Sequence, residues 1–432
     1  MTDLIQAGNT RFHSLDEWLR WQEGLHYKAI DLGLERCREV AARMDLLAPG
    51  FRVISIAGTN GKGTSAAMLA KIYGNAGYTV GAYTSPHLIR YNERIRINGV
   101  EITDSMLCEA FNSVDQARGN ISLTYFEFGT LAALEVFRSS GIELAILEVG
   151  MGGRLDAVNI LDADVALITA ISLDHQQWLG TTRDEIGREK AGIMRPRRPV
   201  VCSDNSVPDS VIAYAAGINA DLYLLGRDFR IDRAADGWSW QYGERVITGF
   251  ANTGLFNTTL INNTAGVLMV IELMSHLFPV AQQTLPSSLA QVAVPGRFQV
   301  HAAEVPVILD VAHNPQAASV LAQNLADQPT QGETHMIIGM LDDKDHRGVL
   351  EALSLVVDHW YVVSLINDRG TDGRVLLEIL EKSGDTRVAG VFDGVELALE
   401  SARGRARTGD RIVVTGSFLT VGAAMQKLSN IR

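Results

Sequence analysis

The chain carries, at residues 53–64, the segment Val53-Ile54-Ser55-Ile56-Ala57-Gly58-Thr59-Asn60-Gly61-Lys62-Gly63-Thr64. An apolar run passes here into a glycine-rich loop, and a helical pattern from Ala66 to Tyr73 follows. This order predicts a strand, a turn and a helix whose first amides face an anion, while glycines allow close approach and Lys62 adds a full positive charge. We therefore predict a nucleotide triphosphate site, formed by Gly58, Thr59, Asn60, Gly61, Lys62, Gly63 and Thr64.

The loop differs from the usual P-loop pattern, because Gly63 stands between Lys62 and Thr64 and the first two glycines are closely spaced. A glycine-rich turn without a ligand is the structural alternative, and the strand before it and the helix after it argue against that. An NAD site is disfavoured because neither half of the chain begins with G-x-G-x-x-G after its first strand.

Short apolar runs alternate with helical segments on both sides of the loop. Continuous apolar runs of this length are typical of parallel strands covered by helices on both faces. The predicted fold class is α/β, with a P-loop-type doubly wound sheet. Its strands are predicted over residues 53–57, 80–83, 144–147, 165–170 and 199–202, and two helices are predicted ahead of the loop, one starting at a Ser14 to Glu17 capping box and one over 34–44.

A different pattern covers Leu224 to Thr259, where aromatic and polar residues partly alternate. It predicts a small antiparallel hairpin appended to the first domain, followed by a helix over 262–277. After Pro295-Gly296-Arg297 the alternation of strands and helices begins again, which predicts a second, Rossmann-like α/β domain. The predicted limits are 1–294 for the first domain, 295–299 for a hinge and 300–432 for the second domain, with strands over 305–309, 336–340, 360–365 and 412–415.

Composition excludes several classes of function. The 432 residues include 50 acidic and 38 basic side chains, and the formal charge of −12 disfavours a general binder of nucleic acid or anionic membrane. The 3 cysteines are far apart, so neither a disulfide framework nor a cysteine metal site is predicted. No signal peptide pattern and no apolar stretch of about 18 residues is found, so we expect a cytoplasmic protein. No obligate protein partner is predicted.

Three polar side chains follow predicted strands at the edge of the sheet where open α/β folds bind ligands: Ser85, Glu148 and His175. They are plausible Mg²⁺ ligands beside a phosphate loop, since Mg²⁺ takes oxygen donors and shares phosphate oxygens with ATP. Histidine is the less expected ligand for so hard an ion. The alternatives are a helix cap or surface charge for Glu148 and a hydrogen-bonded structural histidine for His175.

The segment GTNGKGT resembles the ATP-dependent Mur ligase superfamily and, within it, the folylpolyglutamate synthase and dihydrofolate synthase group. The resemblance covers nearly the whole chain. The other segments that carry it are TSPHL (84–88), LEVGMGGRLD (147–156), LDH (173–175), GREKAG (187–192), PGRF (295–298), DVAHNP (310–315) and GSF (416–418).

The resemblance implies roles for residues around the nucleotide. Ser85, Glu148 and His175 would hold the metal ion, and Arg297 would reach the triphosphate. It further implies that Asp310 holds the ribose or adenine side and that Asn262 contacts the base or phosphate region. An Arg297 that forms only a surface ion pair is the alternative. One departure is Gln176-Gln177, where relatives usually carry Thr and often an acidic residue; it puts metal affinity in doubt.

Residues 124–130, TYFEFGT, place aromatics before a predicted helix and resemble the pterin-binding segment of bifunctional bacterial members. A flat pterin would stack on Phe126 and find polar partners in Thr124 and Asp156. For Phe128 we favour packing of the helix onto the sheet, which is also the alternative for Phe126. In the second domain His313 and Ser417 follow predicted strands and are candidate contacts for L-glutamate.

The predicted activity is that of an ATP- and Mg²⁺-dependent amide-bond ligase. It would phosphorylate the carboxyl group of dihydropteroate, or the terminal γ-carboxyl of a reduced folate, and L-glutamate would then attack the acyl phosphate. Lys62, Lys190 and His313 are the predicted catalytic residues. For Lys190, the resemblance implies carbamylation to N6-carboxylysine, against a lysine that binds phosphate directly or pairs with Glu189.

Other functions are less well supported by the sequence. A folylpolyglutamate synthase without the first activity is the nearest alternative. A nucleotide-driven switch or binding module would not require the second domain with its own polar strand ends. A cell-wall Mur ligase would carry a domain for its UDP-linked substrate before the phosphate loop, where only residues 1–52 stand.

Overall fold

The computed structural model describes residues 10–234, 237–251 and 258–429. Two helices precede the first strand, as predicted: α1 (Leu15–Glu23) and α2 (Glu35–Arg43). The Ser14 hydroxyl accepts from the Glu17 amide and the Glu17 side chain accepts from the Ser14 amide, so the predicted capping box is present. Trp18 is fully buried and packs α1 onto the first domain.

The first sheet has eight strands in the order β4-β3-β2-β5-β1-β6-β7-β8. All pairs are parallel except those of β3 and β4 at one edge. The elements are β1 (Arg52–Ala57), α3 (Lys62–Asn75), β2 (Val80–Tyr83), β3 (Ile95–Ile97), β4 (Val100–Glu101), α4 (Asp104–Arg118), α5 (Tyr125–Ser139), β5 (Leu144–Glu148), β6 (Val165–Ile168), α6 (Gln176–Leu179), α7 (Arg183–Ala191), β7 (Pro199–Cys202), α8 (Asp209–Ile218) and β8 (Asp221–Leu224).

β1 lies in the middle of this sheet, between β5 and β6. The chain runs from β1 to one side of the sheet and, after β5, crosses to the other side, so the strand order reverses around β1. Ligands of open α/β sheets bind in the crevice at such a point, at the carboxyl ends of the strands. The loop after β1 therefore emerges where a nucleotide site is expected.

The predicted antiparallel hairpin is a sheet of three strands, β9 (Phe229–Arg233), β10 (Gly237–Tyr242) and β11 (Arg245–Ala251). Trp238 and Phe250 stack with ring centroids 4.1 Å apart. This sheet packs on the helix that follows it, α9 (Thr258–Met274), and α10 (Thr284–Leu289) comes next. Residues 235–236 and 252–257 of the predicted hairpin region lie outside the described residues.

The second sheet has six strands in the order β12-β13-β17-β14-β15-β16, with only β12 antiparallel to its neighbour. This confirms the predicted α/β class in both halves of the chain. Residues 295–299 lead from the segment after α10 into β12, and a hinge there stays a prediction. The elements are β12 (Gln299–His301), β13 (Val307–Leu309), α11 (Pro315–Asp327), β14 (Thr334–Ile338), α12 (His346–Leu353), β15 (His359–Val363), α13 (Gly373–Lys382), β16 (Val388–Phe392), α14 (Val395–Arg405), β17 (Arg411–Thr415) and α15 (Phe418–Ser429).

In the described part of the chain, no helix combines the length and the apolar character that crossing a membrane requires.

Candidate active site

A cavity of about 480 Å³ lies at the carboxyl ends of the first sheet, where the second domain faces it. The first domain lines it with the phosphate loop, the ends of β2 and β5, and the start of α5. The second domain contributes loops that follow β13, β14 and β17. Of the predicted site residues, the cavity wall includes Gly58, Thr59, Asn60, Gly61, Lys62, Gly63, Ser85, Thr124, Phe126, Glu148, Asp156, His175, Lys190, Arg297, His313 and Ser417.

The phosphate loop follows β1 directly, and its glycines are required by close contacts. Gly58 has a φ of +155°, and a Cβ there would lie 1.8 Å from the Thr169 hydroxyl oxygen. Gly61 has a φ of +91°, and a Cβ there would lie 2.3 Å from Nδ2 of Asn263. Lys62 begins α3, and its ammonium donates to the carbonyl oxygens of Gly58 (3.0 Å) and Thr59 (3.2 Å).

The loop is held in place by the segment after β6. The amide of Thr59 donates to the Ala170 carbonyl (2.7 Å), and the Thr59 hydroxyl donates to the Ser172 carbonyl (3.0 Å). The Thr169 hydroxyl donates to the carbonyl of Asn60 (2.8 Å). β6 was predicted to extend to residue 170 but ends at Ile168, because Thr169 and Ala170 bond to the phosphate loop instead of continuing the strand.

The predicted metal ligands line the same cavity as the phosphate loop. Glu148 ends β5, is 4% exposed, and accepts from the Ser85 amide at its Oε2 (3.1 Å). A Cβ at Gly63 would lie 3.4 Å from the same oxygen, so this carboxylate sits against the first turn of α3. Burial raises the pKa of Glu148, while the charge of Lys62 opposes the rise.

His175 reaches the same cavity after β6. Burial, reinforced by the charges of Lys344 and Lys62, lowers its pKa to about 4, while Asp174 opposes the shift, so the imidazole is neutral near pH 7. A buried carboxylate, a hydroxyl and a neutral imidazole beside a phosphate loop fit a divalent cation that is shared with the triphosphate. Gln176 and Gln177, whose unusual identity raised a doubt, are exposed at the start of α6.

Arg297 and Asp310 lie on the second-domain side of the site. The Asp310 carboxylate accepts from the amides of Phe298 (2.8 Å) and Ala312 (2.9 Å), which fixes the backbone next to Arg297. Burial raises the pKa of Asp310, and the Arg297 charge opposes this. The Arg297 guanidinium lies 5.6 Å from the ring centroid of Phe418. Asp310 thus also orients the segment that carries the arginine.

A second cavity of about 710 Å³ begins at Asn60, Gly61 and Thr64 and extends between α9, α10 and α11. Asn263 lines it, whereas Asn262 lines neither cavity. A contact of Asn262 with the nucleotide stays a prediction, while the cavity wall here is formed by its neighbour, because one residue along a helix turns the side chain by about 100°. The sequence holds two adjacent asparagines and offered no means of choosing between them.

On the folate side, α5 begins at Tyr125 rather than after the aromatics, so Phe126 lies in its first turn. Thr124 caps the helix: its hydroxyl accepts from the Glu127 amide (3.2 Å), and its amide donates to the Glu127 carboxylate (2.8 Å). The Phe126 ring lines the cavity and packs over Gly150, where a Cβ would lie 2.6 Å from it. Phe128 is fully buried, in keeping with the predicted packing role.

Asp156 is 4% exposed, and its carboxylate accepts from the amides of Met151 (2.8 Å) and Val158 (3.0 Å). Burial raises its pKa to about 6, and these amide bonds limit the rise. It therefore shapes the loop after β5 as well as lining the cavity.

One hydrogen-bonded contact next to Phe126 was not predicted from the sequence: Arg36 bonds both to Asp31 and to Glu127. Residues 29–33 line the cavity, and the Asp31 carboxylate accepts from Arg36 (2.7 Å). Arg36 also donates to Glu127 (3.1 Å), the partner of Thr124 in the capping box of α5. Asp31, Arg36 and Glu127 thus tie the loop over residues 29–33 to α5, the helix that carries Phe126. An Arg36–Asp31 spacing of five residues gave no signal, because the partner Glu127 is far along the chain.

Lys190 is 3% exposed and lines the cavity near the end of α7. Burial, reinforced by the charge of Lys62, lowers its pKa to about 7. Glu189 pairs with Arg154 at 2.9 Å. Glu189 thus pairs with Arg154 and not with Lys190, which was the alternative.

Asp174 lies at the contact between the two domains. The sequence analysis named it only as part of the LDH motif and predicted no role for it. Its carboxylate accepts from Lys344 (2.7 Å) and Asn314 (3.3 Å), and Nε2 of His313 lies 3.5 Å from it. Although burial alone would raise the pKa of Asp174, the His313 hydrogen bond and the charges of His175 and Lys344 lower it well below its usual range.

Ser417 is 2% exposed, and its hydroxyl is engaged at the start of α15. It accepts from the Thr420 amide (3.0 Å) and shares a 2.7 Å hydrogen bond with the Thr420 hydroxyl. A contact of this hydroxyl with glutamate would compete with the helix cap.

A phosphate loop on one α/β sheet faces a second α/β domain across a shared cavity, which suits an enzyme that joins two substrates at the expense of a nucleotide. Two family descriptions match the chain: the Mur ligase middle domain over residues 56–237, and the glutamate ligase domain of Mur ligases over residues 296–418. The chain belongs to the Mur ligase family, in its dihydrofolate synthase/folylpolyglutamate synthase group.

The relatives match over nearly their whole length. The dihydrofolate synthase/folylpolyglutamate synthase of Escherichia coli K12 is 40% identical over 95% of each chain. The structure of E. coli FolC in complex with DHPP and ADP has a TM-score of 0.92 and 40% identity, covering 97% of this chain and 99% of that one. A bifunctional folylpolyglutamate synthase/dihydrofolate synthase with Mn, AMPPNP and L-glutamate bound has a TM-score of 0.89 and 44% identity, covering 96% and 98%.

Proposed function

We propose that this protein is an ATP-dependent ligase that adds L-glutamate to dihydropteroate, giving dihydrofolate, and adds γ-glutamates to reduced folates. The observation that carries the proposal is the single cavity in which the phosphate loop, an aromatic segment and second-domain polar groups meet. The relatives named above carry both activities in their names. A nucleotide switch without ligase chemistry would not require the polar groups that the second domain places in this cavity.

In the first step the loop amides and Lys62 hold the triphosphate, and Arg297 approaches it from the second domain. The γ-phosphoryl group passes to a carboxylate oxygen of the folate substrate, ADP leaves, and an acyl phosphate forms. Fixed cations aimed at the transferring group stabilise the charge that builds there. Ser85, Glu148 and His175 would hold Mg²⁺, which supplies further neutralisation of phosphate charge.

In the second step the amino group of L-glutamate attacks the acyl carbon, an amide bond forms and inorganic phosphate leaves. His313 suits the binding of glutamate, because Nδ1 donates to the Val311 carbonyl (2.8 Å) and Nε2 faces Asp174. The His313 ring lines the cavity wall, where the glutamate would bind. Ser417 lies on the same wall of the cavity.

On the folate side, Phe126 would stack on the pterin, with Thr124 and Asp156 beside it. An aromatic ring that is only partly buried and faces a cavity provides such a surface. Closure about residues 295–299, between domains 1–294 and 300–432, would bring the two halves of the site together.

We also propose that Lys190 is carbamylated to N6-carboxylysine. Carbamylation needs a neutral amine, and a lysine whose pKa is lowered to about 7 supplies one at neutral pH. Among the described residues its ammonium forms neither a hydrogen bond nor an ion pair, so it is available to react. The carbamate replaces a cation close to Lys62 with an anion that can orient Mg²⁺ or its ligands.

The experiment is to incubate the purified protein with ATP, Mg²⁺ and L-glutamate, with either dihydropteroate or tetrahydrofolate, and to measure product masses. Both substrates should gain glutamate, and Glu148→Gln should abolish both gains while the protein stays folded. A protein that extends tetrahydrofolate but ignores dihydropteroate would be a folylpolyglutamate synthase only.

A further inference from the structure

Among the described residues, six lysine and arginine side chains line the cavity between the domains: Lys62, Arg94, Lys190, Arg297, Lys344 and Arg369. Lys344 pairs with Asp174 at 2.7 Å, and Arg369 pairs with Asp343 at 2.8 Å. In the function proposed above, Lys62 and Arg297 serve the triphosphate and Lys190 carries the carbamate. Arg94 is the cation of this set that has no role so far.

Arg94 lies at the catalytic edge of the first sheet, directly before β3. Its carbonyl oxygen accepts from the Thr84 amide (2.8 Å), which places it next to Ser85 at the end of β2. Its guanidinium lies 5.8 Å from the ring centroid of Tyr125, the neighbour of Phe126. Arg94 is therefore close both to a predicted metal ligand and to the aromatic segment of the folate side.

The contacts of Arg94 fix its guanidinium without neutralising the charge. Nε donates to Nδ1 of His87 (2.8 Å). Burial, reinforced by the Arg94 charge, lowers the pKa of His87 to about 4, so this ring is neutral near pH 7. The ring centroid of Tyr91 lies 5.2 Å from the guanidinium. The adjacent Glu93 carboxylate accepts instead from the backbone amides of residues 88–90.

Within the described ranges, the Arg94 guanidinium has no carboxylate partner, and neither terminal nitrogen, Nη1 or Nη2, donates to an acceptor of the protein. An arginine that is fixed at Nε and lines a cavity is arranged to bind a planar anion through its two terminal nitrogens. The geometry thus fits a carboxylate group of a substrate.

The two folate substrates differ in the carboxylates that they bring to the cavity. Dihydropteroate has one, and this is the group that is phosphorylated. A reduced folate brings its γ-carboxylate to the same place and also carries the α-carboxylate of its glutamate, which does not react. A charge that leaves water for a cavity needs a partner of opposite charge.

We propose that Arg94 binds the α-carboxylate of the glutamate that a reduced folate already carries. The inference rests on the proposed function and assigns Arg94 to the addition of γ-glutamates, not to the formation of dihydrofolate. His87 is a positioning residue, because its ring accepts from Nε and leaves both terminal nitrogens to the substrate.

The test compares steady-state kinetics with the two folate substrates. Arg94→Gln should raise the KM for tetrahydrofolate about 10–100-fold, because charge-assisted hydrogen bonds are lost, and should change the KM for dihydropteroate little. Arg94→Lys, which keeps the charge without the planar guanidinium, should lie between wild type and Arg94→Gln.

A substrate analogue tests the same contact from the other side. Tetrahydrofolate whose α-carboxylate is replaced by a carboxamide should have a KM for wild type that is raised as much as Arg94→Gln raises it for tetrahydrofolate. Arg94→Gln should not distinguish the two compounds, since the group that reads the difference is absent.

Arg96→Gln is the matched control. Arg96 lies two residues further along the chain, in β3, pairs with Glu101 (3.0 Å) and is not part of the cavity wall. This variant should keep wild-type kinetics with both substrates. Calorimetry should give the same ADP affinity for Arg94→Gln as for wild type, which shows that the variant is folded and that Arg94 does not serve the nucleotide.

Three results would overturn the inference and leave the ligase function standing: equal losses with dihydropteroate and tetrahydrofolate, a lowered ADP affinity, or a wild type that uses the carboxamide as well as tetrahydrofolate. The last of these needs no variant. A wild type that does not extend tetrahydrofolate would overturn the proposed function and this inference with it.

Discussion

Lys62 is the residue whose charge the phosphate loop cannot replace. Its ammonium rests on the carbonyls of Gly58 and Thr59, beside the amides that would hold phosphate. We expect Lys62→Ala to lower turnover on the order of 100-fold to 1,000-fold, because a cation that follows the transferring group is lost. Binding of ADP should persist, since the amides remain. Product formation at saturating ATP and calorimetric ADP affinity measure the two effects, and near-normal turnover would contradict the assignment.

Because the pKa of Lys190 is lowered, we expect the rate of its carbamylation to depend on pH near neutrality. Its pKa is lowered from 10.5 to about 7, so the amine is mostly charged below pH 7 and mostly neutral above it. After CO₂ has been removed, reactivation by added CO₂ should speed up between pH 6 and pH 8, with a midpoint near pH 7 that tracks this pKa. A ¹³CO₂ label should give a carbamate signal in wild type only.

Lys190→Ala is the companion variant. It should lose activity that acetate or formate partly restores by occupying the vacated position. Full activity in the variant, or no carbamate signal in wild type, would end the modification proposal while leaving the ligase assignment intact.

Some functional positions could be predicted from the sequence, and others could not. Glu148 and Lys62 could be placed because a strand end and a loop fix their positions locally. Asp174 and Lys344 could not, since their 2.7 Å contact joins residues 170 positions apart and depends on how two domains dock. The sequence also could not show which of Asn262 and Asn263 lines the second cavity, because that depends on the rotation of α9 against the phosphate loop.

At the scale of the element, α5 offers a matched pair of substitutions. Phe126 and Phe128 are two residues apart, so they face different sides of the helix: one lines the cavity and the other is fully buried. Phe126→Ala should raise the KM for dihydropteroate while ADP affinity and stability change little, because a stacking surface worth about 1 kcal/mol is lost. Phe128→Ala should instead lower the free energy of unfolding by about 3–5 kcal/mol.

Chemical denaturation and steady-state kinetics of both variants separate these outcomes. If Phe126→Ala lost as much stability as Phe128→Ala, or lost ADP affinity equally, its ring would be a packing residue.

The elements predicted best are those whose sequence is buried on both faces. β1, β2, β5, β6 and β7 were all predicted, since a central parallel strand must be apolar throughout. β16 was missed because it lies at an edge of the second sheet, where all five of its residues are partly exposed, and because Gly390 interrupts its short apolar run. β12, which pairs only with β13, was missed for the same reason.

For the whole molecule, the contact between domains rests on a buried ion pair. Lys344 and Asp174 are 5% and 8% exposed, and breaking such a pair costs about 3–5 kcal/mol because a buried charge loses its partner. Lys344→Ala should therefore favour an open arrangement, seen as a larger radius of gyration by small-angle scattering and a higher KM for glutamate. Lys382→Ala, which breaks the exposed pair with Glu378, is the control and should change neither. Identical scattering for the two variants would argue against this role.

The phosphate loop is itself bonded to the second domain. The Asn60 side chain donates to Asn314 (3.1 Å) and Gln316 (2.7 Å) at the start of α11. A recombinant protein with an exchanged second domain would therefore need hydrogen-bond acceptors at the positions of Asn314 and Gln316. Without them, the side-chain amide of Asn60 would lose both of its hydrogen-bond partners in that domain. Chimaeras between family members should thus tolerate divergence across much of the joined surface, provided that they keep the amides at this seam and the Lys344–Asp174 ion pair.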